Sequence, residues 1–300
     1  MWVRRTILRS GLTVAHNVPS ALRSGGIFST NDDMKTELQH STNVHSERST
    51  PPDAKHLLAP VPLSVVFNED CMAGLKRFPD GYFDLAICDI PYGINVGKMA
   101  YLKETKTTVK QKNGTRLNGN KNKEVYTQKD WDKEPPTQEY FDELKRVSKE
   151  QIIFGIEYVN WQGVGTGRIK WNKGVAEGMS FKQYELAYCS MIDEEIELPL
   201  LWAGMCQAKS LSEPMTQQGN KQLNEKRIHP CHKPTLLYQK LIADYGFEGC
   251  KILDTHVGGG SSRIAAKKAN CEYVGFEIDP EYWHKQEKRF NIYVSQLTLW

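Results

Sequence analysis

Apolar positions fall into two patterns along this chain. Short continuous runs at residues 65–67, 83–88, 151–155, 168–171, 184–189, 251–254 and 273–277 predict strands, several of them buried on both faces of a parallel sheet. Between them, apolar residues recur at helical spacing. Tyr140, Phe141, Leu144 and Val147 mark one face of a helix over 137–148. Further helices are predicted over 72–78, 235–245, 261–268 and 280–290, and Pro79-Asp80-Gly81 is a turn. Strands alternating with helices predict a doubly wound α/β domain over 63–300. Residues 103–129 are hydrophilic and rich in Lys, Asn and Thr, which predicts a long mobile basic loop. Residues 193–227 read as irregular, with one apolar run at 198–203.

The first 62 residues lack this periodicity. Residues 1–31 carry Arg4, Arg5, Arg9 and Arg23 with no acid before Asp32, the pattern of a mitochondrial transit peptide. A leader without an address fits as well, and both readings stay open. Residues 32–62 are polar and read as linker or disorder.

Composition changes this picture little. The chain has 300 residues, 39% hydrophobic and 25% charged, with net charge +3, which permits a nucleic-acid partner without demanding one. No apolar run approaches the roughly 20 residues of a membrane span. The seven cysteines include no C-x-x-C pair and suggest neither a zinc site nor a disulfide framework, so a reduced, intracellular setting is expected.

Two stretches carry chemistry. Ile252-Leu253-Asp254 runs into Thr255-His256-Val257-Gly258-Gly259-Gly260 and then a helix, so a ligand can approach bare backbone at a helix N-terminus. The next strand ends at Glu277, placed to hydrogen-bond ribose hydroxyls. Asp279 is the other candidate, although beside Pro280 it reads as a helix N-cap. No lysine in the loop serves a triphosphate. A nucleoside cofactor without polyphosphate fits, and S-adenosylmethionine (AdoMet) is the obvious one.

The second stretch is Asp89-Ile90-Pro91-Tyr92, directly after a buried strand. An exocyclic amine is a poor nucleophile, because its lone pair is delocalised into the ring. Asp89, with the backbone carbonyl of Ile90 or Pro91, offers acceptors that favour a pyramidal nitrogen. Tyr92 offers a face on which a base can stack. A base would have to be flipped out of a duplex to reach them. The same four residues could also be a plain turn.

Taken with Asn68-Glu69-Asp70-Cys71, Trp171-Asn172-Lys173, Tyr184-Glu185-Leu186-Ala187 and His229-Pro230-Cys231-His232-Lys233-Pro234, these blocks resemble the circularly permuted β-class of DNA amino-methyltransferases. In particular they resemble its small phage and bacterial adenine-N6 methylases. The resemblance implies a Rossmann-like class I AdoMet methyltransferase fold with a seven-stranded, mostly parallel sheet and flanking helices. It implies an amine site of Asp89, Pro91 and Tyr92. It implies cofactor contacts from Asp254, His256, Gly258, Gly260, Ser261 and Glu277, with Asp70 near the adenine and Lys233 near the methionine end. Residues 193–227 fall where that family keeps its target-recognition region, and the implied partner is DNA, bound by a monomer or a homodimer.

The chain departs from the family pattern at three places. Ile90 stands for a proline, Gly259 for the serine of a G-S-G turn, and Cys231-His232 for Thr-Gln. Cytosine-N4 methylation, methylation of a protein glutamine amide and a catalytically silent binding module are the competing readings. The order of motifs, AdoMet loop last, argues against the glutamine reading. The lysines of 103–129 and Arg116 could neutralise phosphates or simply be solvated. Trp161, Trp171 and Trp202 read as core, and His229 and His232 as structural.

Overall fold

The computed structural model describes residues 63–96, 109–110, 116–117, 129–178 and 182–297. The leader and linker expected over 1–62, and most of the basic loop, lie outside these residues. In chain order the elements are β1 (Ser64–Phe67), α1 (Cys71–Leu75), β2 (Phe83–Asp89), β3 (Val109–Lys110), β4 (Arg116–Leu117), α2 (Gln138–Val147), β5 (Ser148–Phe154), β6 (Arg168–Asn172), β7 (Tyr184–Cys189), β8 (Glu195–Pro199), β9 (Trp202–Ala203) and β10 (Cys206–Gln207). They continue with α3 (Thr235–Tyr245), β11 (Lys251–Asp254), α4 (Ser261–Lys268), β12 (Glu272–Phe276) and α5 (Pro280–Leu297).

The main sheet runs β1-β12-β11-β2-β5-β7-β6-β8. Every neighbouring pair is parallel except β5 with β7 and β7 with β6. The sheet thus has eight strands rather than the expected seven. The extra one is β8, within the stretch read as irregular. Its Glu-Ile-Glu-Leu-Pro sequence alternates with period two, with Leu198 buried, and Pro199 ends a strand at the sheet edge, where a missing N–H is tolerated. Inside the stretch read as a loop, β3 and β4 pair antiparallel.

The central strands are apolar on both faces because both faces are covered. Leu85 and Ile87 of β2 join one core cluster, with Leu237 and Leu241 of α3 and Ala265 of α4. Ala86 and Cys88 join the other, with Leu75 of α1 and Phe141 and Leu144 of α2. Helix α2 passes into β5 without a loop, and the Ser148 hydroxyl donates to the Leu144 carbonyl at 2.6 Å. Arg146 donates to Glu143, Asp80 and the Phe78 carbonyl, pinning the turn that feeds β2. Trp161, Trp171 and Trp202 are buried, and each indole N–H donates to a backbone carbonyl. No helix of the described residues is long and apolar enough to cross a membrane.

This topology positions the site. From β11 the chain crosses through α4 to β12 on one side, and from β2 it crosses through α2 to β5 on the other. The sheet therefore switches direction between β11 and β2, and the carboxyl ends of such a pair form the crevice in which open α/β sheets bind ligands. Asp254 ends one of these strands and Asp89 the other.

Candidate active site

A cavity of about 250 Å³ opens at this switch point. Of the residues expected at the site it is lined by Asp70, Asp89, Pro91, Tyr92, Lys233, His256, Gly258, Ser261 and Glu277. Asp254 and Gly260 stand behind the wall. Asp254 is buried and accepts from Ser262 Oγ at 2.5 Å, the His256 N–H at 3.0 Å and Tyr273 Oη at 3.3 Å. It ties the loop to α4 and β12 instead of facing a ligand, and burial raises its carboxyl to about 6. Gly260 is the left-handed N-cap of α4, at φ +71°, packed against Gln286.

On the cofactor side, Glu277 follows β12 directly. Its Oε2 accepts the Gly258 N–H at 2.8 Å and its Oε1 the Asp279 N–H at 2.9 Å, and burial raises the carboxyl to about 7. Asp279 is the N-cap of α5, accepting from the N–H groups of Glu281 and Tyr282, so the cap reading of that residue holds. Asp70 likewise caps α1, accepting the Met72 N–H at 2.8 Å. His256 and His229 are neutral, because burial lowers them to about 4 and about 3.

A nucleoside cofactor fits these residues. The turn 255–260 presents backbone, and Glu277 is fixed in place with lone pairs left for the cavity. Lys233 is the only Lys or Arg among the described residues lining the cavity, and its N–H groups are committed to Asp89, Glu185 and Tyr92.

Two departures from the family pattern meet here. A Cβ on Gly259 would lie 2.2 Å from His232 Nδ1. The imidazole occupies the space a serine side chain would need, so His232 and Gly259 are a matched pair. His232 Nε2 meets Glu225 Oε1 at 3.0 Å and Ser261 Oγ at 3.1 Å. Glu225 is a hub that sequence reasoning missed. It also accepts the Thr235 N–H, capping α3, and the Arg289 guanidinium at 2.5 Å. Burial alone would raise its carboxyl, but His232 and Arg289 bring it to about 2.

On the reaction side, Asp89 Oδ1 accepts from Lys233 Nζ at 2.5 Å and stands 3.0 Å from Tyr92 Oη. Its Oδ2 receives no hydrogen bond among the described residues. Burial raises the Asp89 carboxyl from its ordinary value despite Lys233. Lys233, expected near the methionine end of the cofactor, gives its N–H bonds instead to Asp89, to Glu185 Oε2 at 3.0 Å and to Tyr92 Oη at 3.1 Å. The expected stacking role of Tyr92 is also restricted. Its ring stacks on Tyr158, centroids 4.6 Å apart and planes 12° apart, and a Cβ on Gly155 would lie 2.3 Å from it. The face against Tyr158 is not available to a base, and Tyr92 also presents its hydroxyl to Asp89. Ile90 is buried in the α1/α2 core cluster, filling the place of the family proline with packed aliphatic surface.

Asp132 is a second residue missed from sequence. Its Oδ1 accepts the N–H groups of Tyr92 at 2.7 Å and Gly93 at 3.0 Å, and its Oδ2 that of Val96 at 2.8 Å. One buried carboxylate thus holds the loop after Asp89. The signal available was an acid at the close of a hydrophilic stretch, between Trp131 and the Pro135-Pro136 pair. At the same place Lys129, from the stretch thought to meet phosphates, pairs with Asp279 at 2.9 Å and Glu281 at 3.1 Å.

Fold and site define an α/β protein with a doubly wound, mostly parallel central sheet and a cavity at its switch point. Residues 201–288 match the family model N6_N4_Mtase, described as DNA methylase, a span that takes in Lys233, the glycine turn and Glu277 but not Asp89. Over 66 residues the chain is 32% identical to the type II methyltransferase M.HpaI of Haemophilus parainfluenzae, covering 22% of this chain and 21% of that protein. Over 61 residues it is 34% identical to the type II methyltransferase M2.DpnII of Streptococcus pneumoniae, covering 20% and 23%. The aligned stretches span about a fifth of the length of these curated relatives. Among solved structures, the M1.HpyAVI–SAM complex aligns over 75% of this chain and 98% of that one, at 15% identity and a TM-score of 0.42. These matches in sequence are thus to DNA methylases and type II methyltransferases, over less than a third of this chain.

Proposed function

We propose that this protein transfers a methyl group from AdoMet to the N6 amine of adenine in DNA, the base being flipped out of the duplex. The observation that carries the reading is Asp89 at the switch point, lining the same cavity as Glu277 and the glycine turn, with Oδ1 anchored by Lys233 and Tyr92 and Oδ2 receiving no hydrogen bond among the described residues. Bound there, the cofactor supplies an electrophilic methyl group. The chain's own work is positioning and electrostatics. Asp89 Oδ2 accepts one N–H of the target amine, and a carbonyl of the Ile90-Pro91 turn accepts the other, which localises the nitrogen lone pair. The proton lost from the methylated nitrogen has Asp89 Oδ2 beside it, a carboxylate whose proton affinity burial has raised.

Asp rather than Ser at the head of the motif favours adenine over cytosine. In chain order the Asp89 motif precedes the glycine turn, which supports the permuted arrangement. The test is Asp89→Ala in the full-length protein. Methyl transfer to DNA should be abolished while the cofactor still binds by calorimetry. A variant that retains transfer removes Asp89 from the reaction. A wild type that binds cofactor and methylates no DNA supports the silent-module reading instead.

A further inference from the structure

Methyl transfer places positive charge on the attacking nitrogen, yet Lys233 Nζ stands 2.5 Å from Asp89 Oδ1. A bare ammonium there would neutralise the acceptor and repel the developing charge. The ammonium is not bare. Glu185, on β7, accepts from Lys233 through Oε2 at 3.0 Å and from Lys173 Nζ through Oε1 at 3.0 Å. Its Oε2 also lies 3.2 Å from Tyr92 Oη. The Tyr92 hydroxyl accepts from Lys233 and has a single proton, which it gives either to Asp89 or to Glu185. Without Glu185, both the ammonium and the hydroxyl would turn on Asp89 and use up the acceptor capacity the target amine needs.

We propose that Glu185 is a positioning residue for the amine acceptor: by drawing one N–H of Lys233 to itself and offering the Tyr92 hydroxyl a second partner, it keeps both donors from turning onto Asp89 Oδ2, which is left to accept from the target amine. The inference rests on the methyl-transfer reading above. Two lysines and two carboxylates make the cluster neutral as a whole, which is what a site that develops positive charge tolerates. The lysine pair holds Glu185 at about 2, although burial alone would raise it, so it stays an anion across the working range.

The groups facing Asp89 set the sign of the test. They are Lys233 and Cys231 from the segment before α3, Tyr238 from α3, Tyr92 from its own loop, Glu185 from β7 and Asp254 from β11. Lys173 stands one step behind Glu185. Removing the Glu185 charge stabilises ionised Asp89, and removing the Lys173 charge destabilises it.

The experiment is the pH profile of kcat for methyl transfer to duplex DNA by the full-length wild type, Glu185→Gln and Lys173→Gln, with cofactor affinity measured by calorimetry. Glu185→Gln should lower kcat at neutral pH roughly 10- to 100-fold, less than the ~10²- to 10³-fold cost of losing a direct transition-state contact. KM for DNA and cofactor affinity should stay within about twofold. Its acidic limb should move to lower pH by about one pH unit, and that of Lys173→Gln to higher pH. The opposite displacements report that both charges are felt at Asp89; a loss of kcat with KM and cofactor affinity held is what a merely structural role would not give. Limbs that superimpose on the wild type, or move the same way, overturn the inference while the enzymatic reading stands. If Glu185→Gln does not fold, Glu185→Asp, which keeps the charge but draws it back from Lys233 and Tyr92, decides: it should lower kcat with KM held, and a wild-type kcat overturns the inference. A wild type that binds cofactor and transfers no methyl overturns the reading itself.

Discussion

At the residue scale, the departures from the family pattern form a packed arrangement. Gly259 is required because His232 fills the space beside it. Gly259→Ser should therefore destabilise the protein by about 1–3 kcal/mol, the usual cost of overpacking. Adding His232→Gln should recover at least half of that, a coupling of about 0.5–3 kcal/mol between neighbours. Urea unfolding of both single variants and the double variant checks this, and strict additivity would separate the two positions. Asp132 makes a second case. Asp132→Ala strips the acceptor from three N–H groups of the motif loop, at about 1–3 kcal/mol for each donor left buried and unpaired. It should lower kcat through misplacement of the Ile90-Pro91 carbonyls, with cofactor affinity nearly intact; an unchanged kcat would free the loop from Asp132.

At the scale of elements, β2 carries the reaction side and β12 the cofactor side. Phe83, at the start of β2, is fully buried, so Phe83→Ala should cost about 3–5 kcal/mol. Glu277, at the end of β12, gives a pH dependence with a defined sign. Its folded-state value, raised to about 7 by burial, lies above the ordinary 4.5. The folded chain then binds the extra proton between these values, so this group's contribution is complete below about 4.5 and is lost as pH rises through 7. Stability of Glu277→Gln relative to wild type should accordingly improve from pH 5 to pH 8, as read by urea unfolding at the two values. An unchanged difference would mean that Glu277 does not titrate in this window.

Most of these elements were legible in the chain. The strands ending at Asp89 and Asp254 and the helices α3 and α4 are where periodicity and glycines put them, and nine of the eleven residues named for the site line the cavity at the switch point. What escaped reading has a common cause. Glu225 and Asp132 act through contacts across sequence separations of 7 to 64 residues, and Glu185, quoted only as part of a family block, gets its role from a contact across 93. No local pattern distinguishes such acids from solvated ones. Lys233 and Tyr92 were found, but their directions were not, because an ammonium's partners and a ring's packed face are set by tertiary neighbours. Strand β8 was missed because a run of two acids and a proline has low strand propensity, which alternation at the sheet edge overrode.

At the scale of the whole molecule, the chain unites two half-sites at one topological switch, with the catalytic strand early in sequence and the cofactor turn late. The family match covers only the later half. The earlier half rests on geometry, namely an Asp89 carboxylate lining the cavity and held in a neutral four-charge cluster. The central claim is therefore chemical, and nucleoside mass spectrometry tests it most directly. Unmethylated DNA is incubated with the full-length protein and isotope-labelled AdoMet, digested to nucleosides, and read for labelled products. The account predicts labelled N6-methyladenine. Labelled N4-methylcytosine would contradict the choice of base, and no labelled nucleoside from a protein that binds the cofactor would contradict the account as a whole.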